Sequence, residues 1–273
     1  MKWVKAAALI LLCILFLFPL YWMIAGSFSS MIGIMKFPPD FFPSHPTLEN
    51  YARVIAPGWI VLRWFGNSLL ITVSGVLLTL VTMGAAAYSL TVYRLRWTRA
   101  IYLAFAATMM VSRYSLLIPL FVLVRTYHLG ATLGVILTGV FYPLGFFLLY
   151  NFMRMIPRDF IESARIDGAG EWRILFKIML PLCKPALGAV MAFKMMDTFG
   201  DYIWQQLLLQ GERERSYIVG IIYRIYEEFM LTRLNNYGVA MAAGVLVFLP
   251  LLVIFLSSNR YFIEGITLGG VKE

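Results

Sequence analysis

Lys194, Asp197 and Asp201 stand inside an otherwise apolar stretch of the chain. Their i, i+3, i+7 spacing places all three on one face of a helix, and Gln205 continues that face. In another apolar run, Arg113 is followed by Tyr114 and Ser115. Charge in such segments is costly and marks either a solute path or an internal ion pair. Lining a path, these groups would hydrogen-bond a polar solute, with Tyr202 and Trp204 offering ring faces. As structural pairs, Lys194–Asp197 or Arg113–Asp201 would hold helices together. Both readings stand on spacing alone. Arg113 and Lys194 point to an acidic solute unless Asp197 and Asp201 neutralise them. The run Asp197-Thr198-Phe199-Gly200-Asp201 predicts a break or kink, a device transporters place at their binding sites.

Other chemistry finds no support. The chain has no G-x-x-x-x-G-K-[ST] phosphate loop, no HExxH and no Ser/His/Asp or paired-carboxylate arrangement, so it is not expected to be an enzyme or to bind ATP itself. The two histidines, His45 and His128, fall in separate loops, and no metal site is expected. Cys13 lies in an apolar run and Cys183 in a basic one, which argues against a disulfide framework. The methionine pairs at 109–110 and 195–196 read as packing.

These groups need elements to hold them, and composition says which. Of 273 residues, 61% are hydrophobic and 14% charged, far from a soluble domain. A spanning helix needs about 20 mostly apolar residues. Six segments qualify, near 6–25, 64–92, 101–123, 133–153, 185–209 and 237–258. The first, preceded by Lys2 and Lys5, is expected to be a retained helix rather than a cleaved signal, being long for a signal core. The fold class expected is therefore all-α integral membrane: one transmembrane domain over 1–273, with six transmembrane helices and a tail from 259 to 273. Lys and Arg number 23 against 14 Asp and Glu. Thirteen of those cations, including Arg94, Arg154, Arg158 and Arg165, fall on the side of Lys2, and eight, including Arg213 and Arg233, fall on the other. That bias places both termini in the cytoplasm. The basic residues lie mostly between apolar runs, so nucleic acid is not an expected partner. The loop from Ser27 to Arg63, with Phe37, Pro38, Pro39, Phe41, Phe42, Pro43 and Pro46, is expected to pack over the outer helix ends.

The segment 154–183 is more structured than a linker needs to be. Asp159 and Glu162 suggest a capping box. Gly168 and Gly170 suit a left-handed helix end. A second short helix is expected from Glu171 to Met179, stopping before Pro181. The whole is a helix–Gly–helix element on the cytoplasmic side.

Within it, Glu162-Ser163-Ala164, three residues, Gly168, nine residues, Ile178, one residue and Leu180-Pro181 resemble the E-A-A…G…I-x-L-P loop of ABC importer permeases, with Ser163 replacing an alanine. Arg165-Ile166-Asp167-Gly168-Ala169, Pro46-Thr47-Leu48-Glu49-Asn50-Tyr51 and the tail around Arg260–Lys272 are similar to the maltose-type carbohydrate permeases. The resemblance implies an inner-membrane permease subunit for an oligosaccharide. It also implies a second permease as heterodimer partner, two ATPase subunits that carry ATP and Mg, and a periplasmic or extracellular solute-binding protein. It gives Glu162, Ser163, Ala164, Asp167, Gly168, Ala169, Ile178, Leu180 and Pro181 to the ATPase-coupling loop. An ion-gradient-driven secondary transporter would account for Lys194, Asp197 and Asp201 but not for this loop.

Overall fold

The computed structural model describes residues 2–37, 41–93, 96–232 and 236–269, so Pro38, Pro39, Arg94, Arg233 and the tail from Gly270 to Lys272 lie outside the described residues. The helices run in order α1 (Lys2–Ser27), α2 (Met31–Met35), α3 (Glu49–Ile55), α4 (Gly58–Val92), α5 (Thr98–Met109), α6 (Leu117–Thr126), α7 (Ala131–Gly139), α8 (Pro143–Met153), α9 (Asp159–Ile166), α10 (Glu171–Ile174), α11 (Leu180–Leu182), α12 (Lys184–Phe199), α13 (Tyr202–Leu208), α14 (Tyr217–Thr232) and α15 (Tyr237–Gly269). There is no strand among the described residues. Helix is the form expected in lipid, where each backbone amide must find its partner within the segment.

Four helices or helix pairs are long and apolar enough to cross a membrane: Trp3–Ser27, Gly58–Val92, Ala131–Met153 and Tyr237–Ser258. The number reaches six if two sharply bent pairs each count as one span. The third expected segment is one of these pairs, with Thr98–Met109 and Arg113–Thr126 meeting at 94°. Pro119 lies past the break, in the first turn of α6, where a missing amide is tolerated. A 3-10 turn over Arg113–Leu116 joins the two halves. At 35 residues α4 is about 52 Å long, well beyond a hydrocarbon core of about 30 Å, so one or both ends project from it. The apolar run of the sixth segment ends at Ser258, but α15 continues to Gly269.

The chain divides into two compact units, Met1–Gly66 with Arg215–Pro250 and Asn67–Glu214 with Leu251–Glu273. In the first, the 18-residue core of α1 buries none of its length against the chain. The loop after it is fastened down rather than free. Buried Asn50 donates to the Ser27 and Ser29 carbonyls, both at 2.9 Å, satisfying carbonyls freed at the end of α1. Arg53 pairs at 2.7 Å with Glu49 and at 2.7 Å with Glu228 of α14.

Helix α14 is not among the six segments expected from the sequence and lies between the fifth and sixth. Its first turns, Tyr217 to Ile221, are buried, and Arg224 pairs with Glu227 at 2.7 Å. The Trp64 ring lies so close to α14 that only a glycine fits at 220.

A Cβ built on Gly220 would stand 2.2 Å from that ring, whereas one on Gly66 meets nothing within 4 Å. Gly220→Ala is expected to cost about 1–3 kcal/mol by overpacking. Gly66→Ala should be neutral or stabilising by up to about 1 kcal/mol through helix propensity. Melting temperatures of the purified assembly in detergent will order the two.

Candidate functional site

In the second unit, three helix interruptions and the expected charges occupy one place. Pro143 forces the residue before it out of the helical region. Tyr142 is accordingly at φ −132°, and α7 and α8 are separated there. The Thr79 hydroxyl reaches the Val140 carbonyl in this gap, at 3.2 Å. The second interruption is the expected one in the fifth segment. Helix α12 stops at Phe199, Gly200 caps it, and Asp201 opens α13 by accepting the Trp204 amide at 3.3 Å. Gln205 donates to the Thr198 carbonyl at 2.6 Å. The third is the turn at Arg113–Leu116.

Arg113 reaches from that turn to Asp201 at 2.7 Å and to Asp197 at 3.5 Å. Lys194 pairs with Asp197 at 3.4 Å and lies 5.0 Å from the centroid of the Tyr142 ring. Its side chain is 3% exposed. Gly139 lies beside the ammonium, where a Cβ would meet Nζ in an ordinary contact at 3.5 Å. Two cations and two carboxylates therefore form one balanced network tying all three interruptions together. Both pairs considered from spacing alone are present. The network is not sealed: Arg113 and Asp197 remain 43% and 38% exposed, and Tyr114 is exposed beside them.

Two residues expected on this face lie elsewhere. Trp204 is 2% exposed and Gln205 1%. The Trp204 ring packs with Ile71, Val124, Val135 and Leu208, and its indole N–H is given to Thr138 at 2.9 Å. They support the break from behind, because α13 turns after Asp201 and carries its side chains inward. Tyr202 stays half-buried. Tyr142 was missed, although a Tyr-Pro pair within an apolar run signals such a break.

Residues 154–183 hold α9, α10, α11 and a π-helical turn over Leu175–Met179. Gly168 has φ +76°. The Gly168 amide bonds to the Arg165 carbonyl at 3.0 Å and the Ala169 amide to that of Ala164 at 2.9 Å, the paired bonds of a Schellman end. Two local expectations fail. No capping box forms: Arg158 caps α9 without a side-chain bond, and Asp159 is already in the first turn, where its charge favours the helix dipole. Nor does the second helix stop before Pro181. The wider π turn moves the Leu180 amide onto the Leu175 carbonyl, and Pro181 falls in the first turn of α11, where a missing amide is tolerated.

Ala164 is buried with Ile161, and Leu180 packs inward, with Ile178 half-buried beside the same core. Glu162, Ser163, Asp167, Gly168 and Pro181 are exposed, and Ala169 is half-buried. The small side chain of Ala164 thus serves packing within this chain. Phe160, Ile166 and Trp172 stand outward at 50%, 86% and 66% exposure. Glu162 has no ion pair among the described residues.

A clamp not foreseen from sequence fixes this element. The Tyr88 hydroxyl of α4 donates to Glu171 at 2.5 Å, and Arg165 pairs with the same carboxylate at 2.9 Å. Arg158 donates to the Thr91 carbonyl at 3.2 Å. The Tyr88 hydrogen bond, aided by Arg165, holds the Glu171 carboxyl below the usual carboxylate range and so charged.

Residues 80–267 match the family described as binding-protein-dependent transport system inner membrane component. The chain is 31% identical to the arabinooligosaccharides transport system permease protein AraQ of Bacillus subtilis, over 96% of this chain and 92% of that one. It is 31% identical to the maltodextrin transport system permease protein MdxG of the same organism, over 97% and 94%. Among solved structures, one described as a bacterial ABC transporter involved in the import of the acidic polysaccharide alginate matches with a TM-score of 0.81, at 27% identity and 96% coverage of both chains.

Asp201 is the more enclosed carboxylate, 13% exposed against 38% for Asp197. Asp201→Asn keeps the amide acceptor but removes the partner of Arg113. It is expected to cost about 2 kcal/mol, below the value for a sealed pair because Arg113 is partly solvated. Asp197→Asn should cost less. Yield of assembled complex measures both, and Arg113→Gln combined with Asp201→Asn should recover part of the loss.

Proposed function

Because the chain belongs to the binding-protein-dependent transport system inner membrane components, we propose that it is one permease of an ATP-driven importer that carries an uncharged oligosaccharide across the inner membrane. The observation that carries the reading is the conjunction of a left-handed Gly168 at the end of an exposed, capped helix with an ion network joining three helix breaks. The first is what a docking lever requires. The second is what a path through a helix bundle requires.

In this reading a second permease completes the path, two ATPase subunits bind ATP and Mg, and an external binding protein delivers the sugar. Both termini face the cytoplasm, with 154–183 on the same side. Helix α9 lies in a groove on an ATPase, where Glu162 meets a basic group and Phe160 and Ile166 fill apolar recesses. The Glu171–Tyr88–Arg165 clamp makes the loop one body with the end of α4, so movement of the ATPase moves the helices rather than bending the loop. Arg113, Tyr114, Lys194, Asp197, Asp201 and Tyr202 border the path. Their charges cancel within the network, which favours uncharged oligosaccharides over an acidic sugar; the named Bacillus relatives are described as transporting arabinooligosaccharides and maltodextrin. The same cancellation leaves no unpaired carboxylate to drive transport by an ion gradient.

Three expectations test this reading. An impermeant thiol reagent added outside sealed cells should label cysteine placed at Ser44 and not at Gly170; labelling at Gly170 reverses the orientation. The space around Gly168 is open, so only its φ resists a side chain. Gly168→Val should therefore abolish uptake, while Gly168→Asn, which tolerates the left-handed region, should retain much of it; the strain is about 1–2 kcal/mol. Glu162→Lys should weaken ATPase attachment and lose ATP hydrolysis stimulated by loaded binding protein. Normal stimulated hydrolysis and uptake in both the Gly168→Val and Glu162→Lys vesicles would mean that coupling runs elsewhere.

A further inference from the structure

Beside the coupling element the second unit contains a cleft of about 650 Å³, walled by the end of α4, the start of α5, the end of α8 and α9. That size lies within the roughly 300–1,000 Å³ of small-molecule sites. Five arginines line it, Arg96, Arg99, Arg154, Arg158 and Arg165, against one carboxylate, Glu162. Arg165 is neutralised by Glu171 and Arg158 is turned to the Thr91 carbonyl. Arg96, Arg99 and Arg154 have no carboxylate partner among the described residues. Such an excess of positive charge in a walled cleft calls for an anion.

The surroundings say which kind. The cleft sits where apolar helices end. Helix α5, on one wall, packs Tyr102 and Phe105 against α8 and leaves Leu103 and Met109 exposed on its other side. Tyr93 and Trp97 stand exposed at its rim, 48% and 60%, and the Arg96 guanidinium lies 5.3 Å from the Trp97 ring centroid. Exposed aromatics beside arginines at the end of a span mark the level of lipid headgroups. Basic pockets between helices at that level take anionic headgroups.

We infer that this cleft binds the phosphodiester of an anionic phospholipid, with Arg96, Arg99 and Arg154 on the phosphate and the acyl chains lying along α5. The lipid would wedge between the membrane ends of α5 and α8 and the coupling helix α9, so that occupancy steadies the position of α9. The assignment rests on the proposed orientation only for which leaflet supplies the lipid.

The test uses the whole importer, with its partner subunits, in nanodiscs containing phosphatidylglycerol and phosphatidylcholine. Lipid retained after purification is identified by native mass spectrometry. Retention should favour phosphatidylglycerol. Each of Arg96→Gln, Arg99→Gln and Arg154→Gln should lower that preference about five-fold. The corresponding lysine variants should keep most of it, and Arg125→Gln, at the end of α6, should change nothing. The lysine variants and the singles remain readable if the triple glutamine variant fails to assemble. Equal retention of both lipids by the unaltered complex, or full preference in the glutamine variants, overturns the inference. Displacement of the lipid by excess glycerol phosphate would assign the cleft to a soluble anion instead. A photocrosslinker at Arg99 that captures an ATPase subunit rather than lipid would assign it to protein docking. Preference that persists while surface labelling places 154–183 outside would reverse the leaflet and leave the lipid site standing.

Discussion

A backbone that stops being helical inside a membrane has no water to complete its hydrogen bonds, and most of the second unit is arranged around that constraint. The chain breaks its helices at Ser112, Tyr142 and Gly200, and side chains repair the second and third locally. Thr79 takes the Val140 carbonyl, Gln205 takes that of Thr198, and the Asp201 carboxylate takes the Trp204 amide. The repairs leave charged and polar side chains concentrated at one level. Arg113, Lys194, Asp197 and Asp201 then neutralise one another across the breaks. Structural pairing and solute contact are therefore not alternatives. A balanced network that is one-third or more exposed at Arg113 and Asp197 holds the helices and, in the proposed path, would still offer hydrogen bonds to a hydroxyl-rich solute.

The proposed coupling element answers a different demand. A lever must not bend between the point where it is pushed and the point where it acts. Helix α9 is only eight residues long, too short to be stable from its own hydrogen bonds. It is held by burial of Ile161 and Ala164 in the core formed by α4, α8 and α12, by the Schellman end at Gly168, and by the Tyr88–Glu171–Arg165 clamp. The π turn and α11 then carry the chain into α12, which bears Lys194 and Asp197. A displacement of α9 has a short and stiff route to the ion network.

The same economy explains the large exposed apolar area. Phe160, Ile166 and Trp172 on the loop, the 18-residue apolar core of α1 and the outer side of α5 stand exposed on this chain. In the proposed assembly each faces a different environment: an ATPase groove for the first, lipid or a sister subunit for the others. A permease of this family is one part of an assembly, and its surface is divided among the parts that surround it.

What the sequence determined by itself is whatever depends on local order. Apolar run length sets the helices, because lipid leaves the backbone no other choice. The glycine at 168 sets the turn, because φ there is +76°, and the Asp197–Asp201 run announces its break through Gly200 and a capping aspartate. The loop pattern from Glu162 to Pro181 was legible for the same reason. What only the tertiary structure decided is which side chains meet. Trp204 and Gln205 share the helical spacing of Asp201, yet the bend after Asp201 buries them. Ala164 faces inward and Glu162 outward although they are two residues apart. Helix α14 looks like a loop until Glu228 finds Arg53 and Gly220 finds Trp64. Tyr88 and Glu171, 83 positions apart, make a bond that no periodicity predicts. Local order states what a segment can be; partners far away in the chain state which of its faces has somewhere to go.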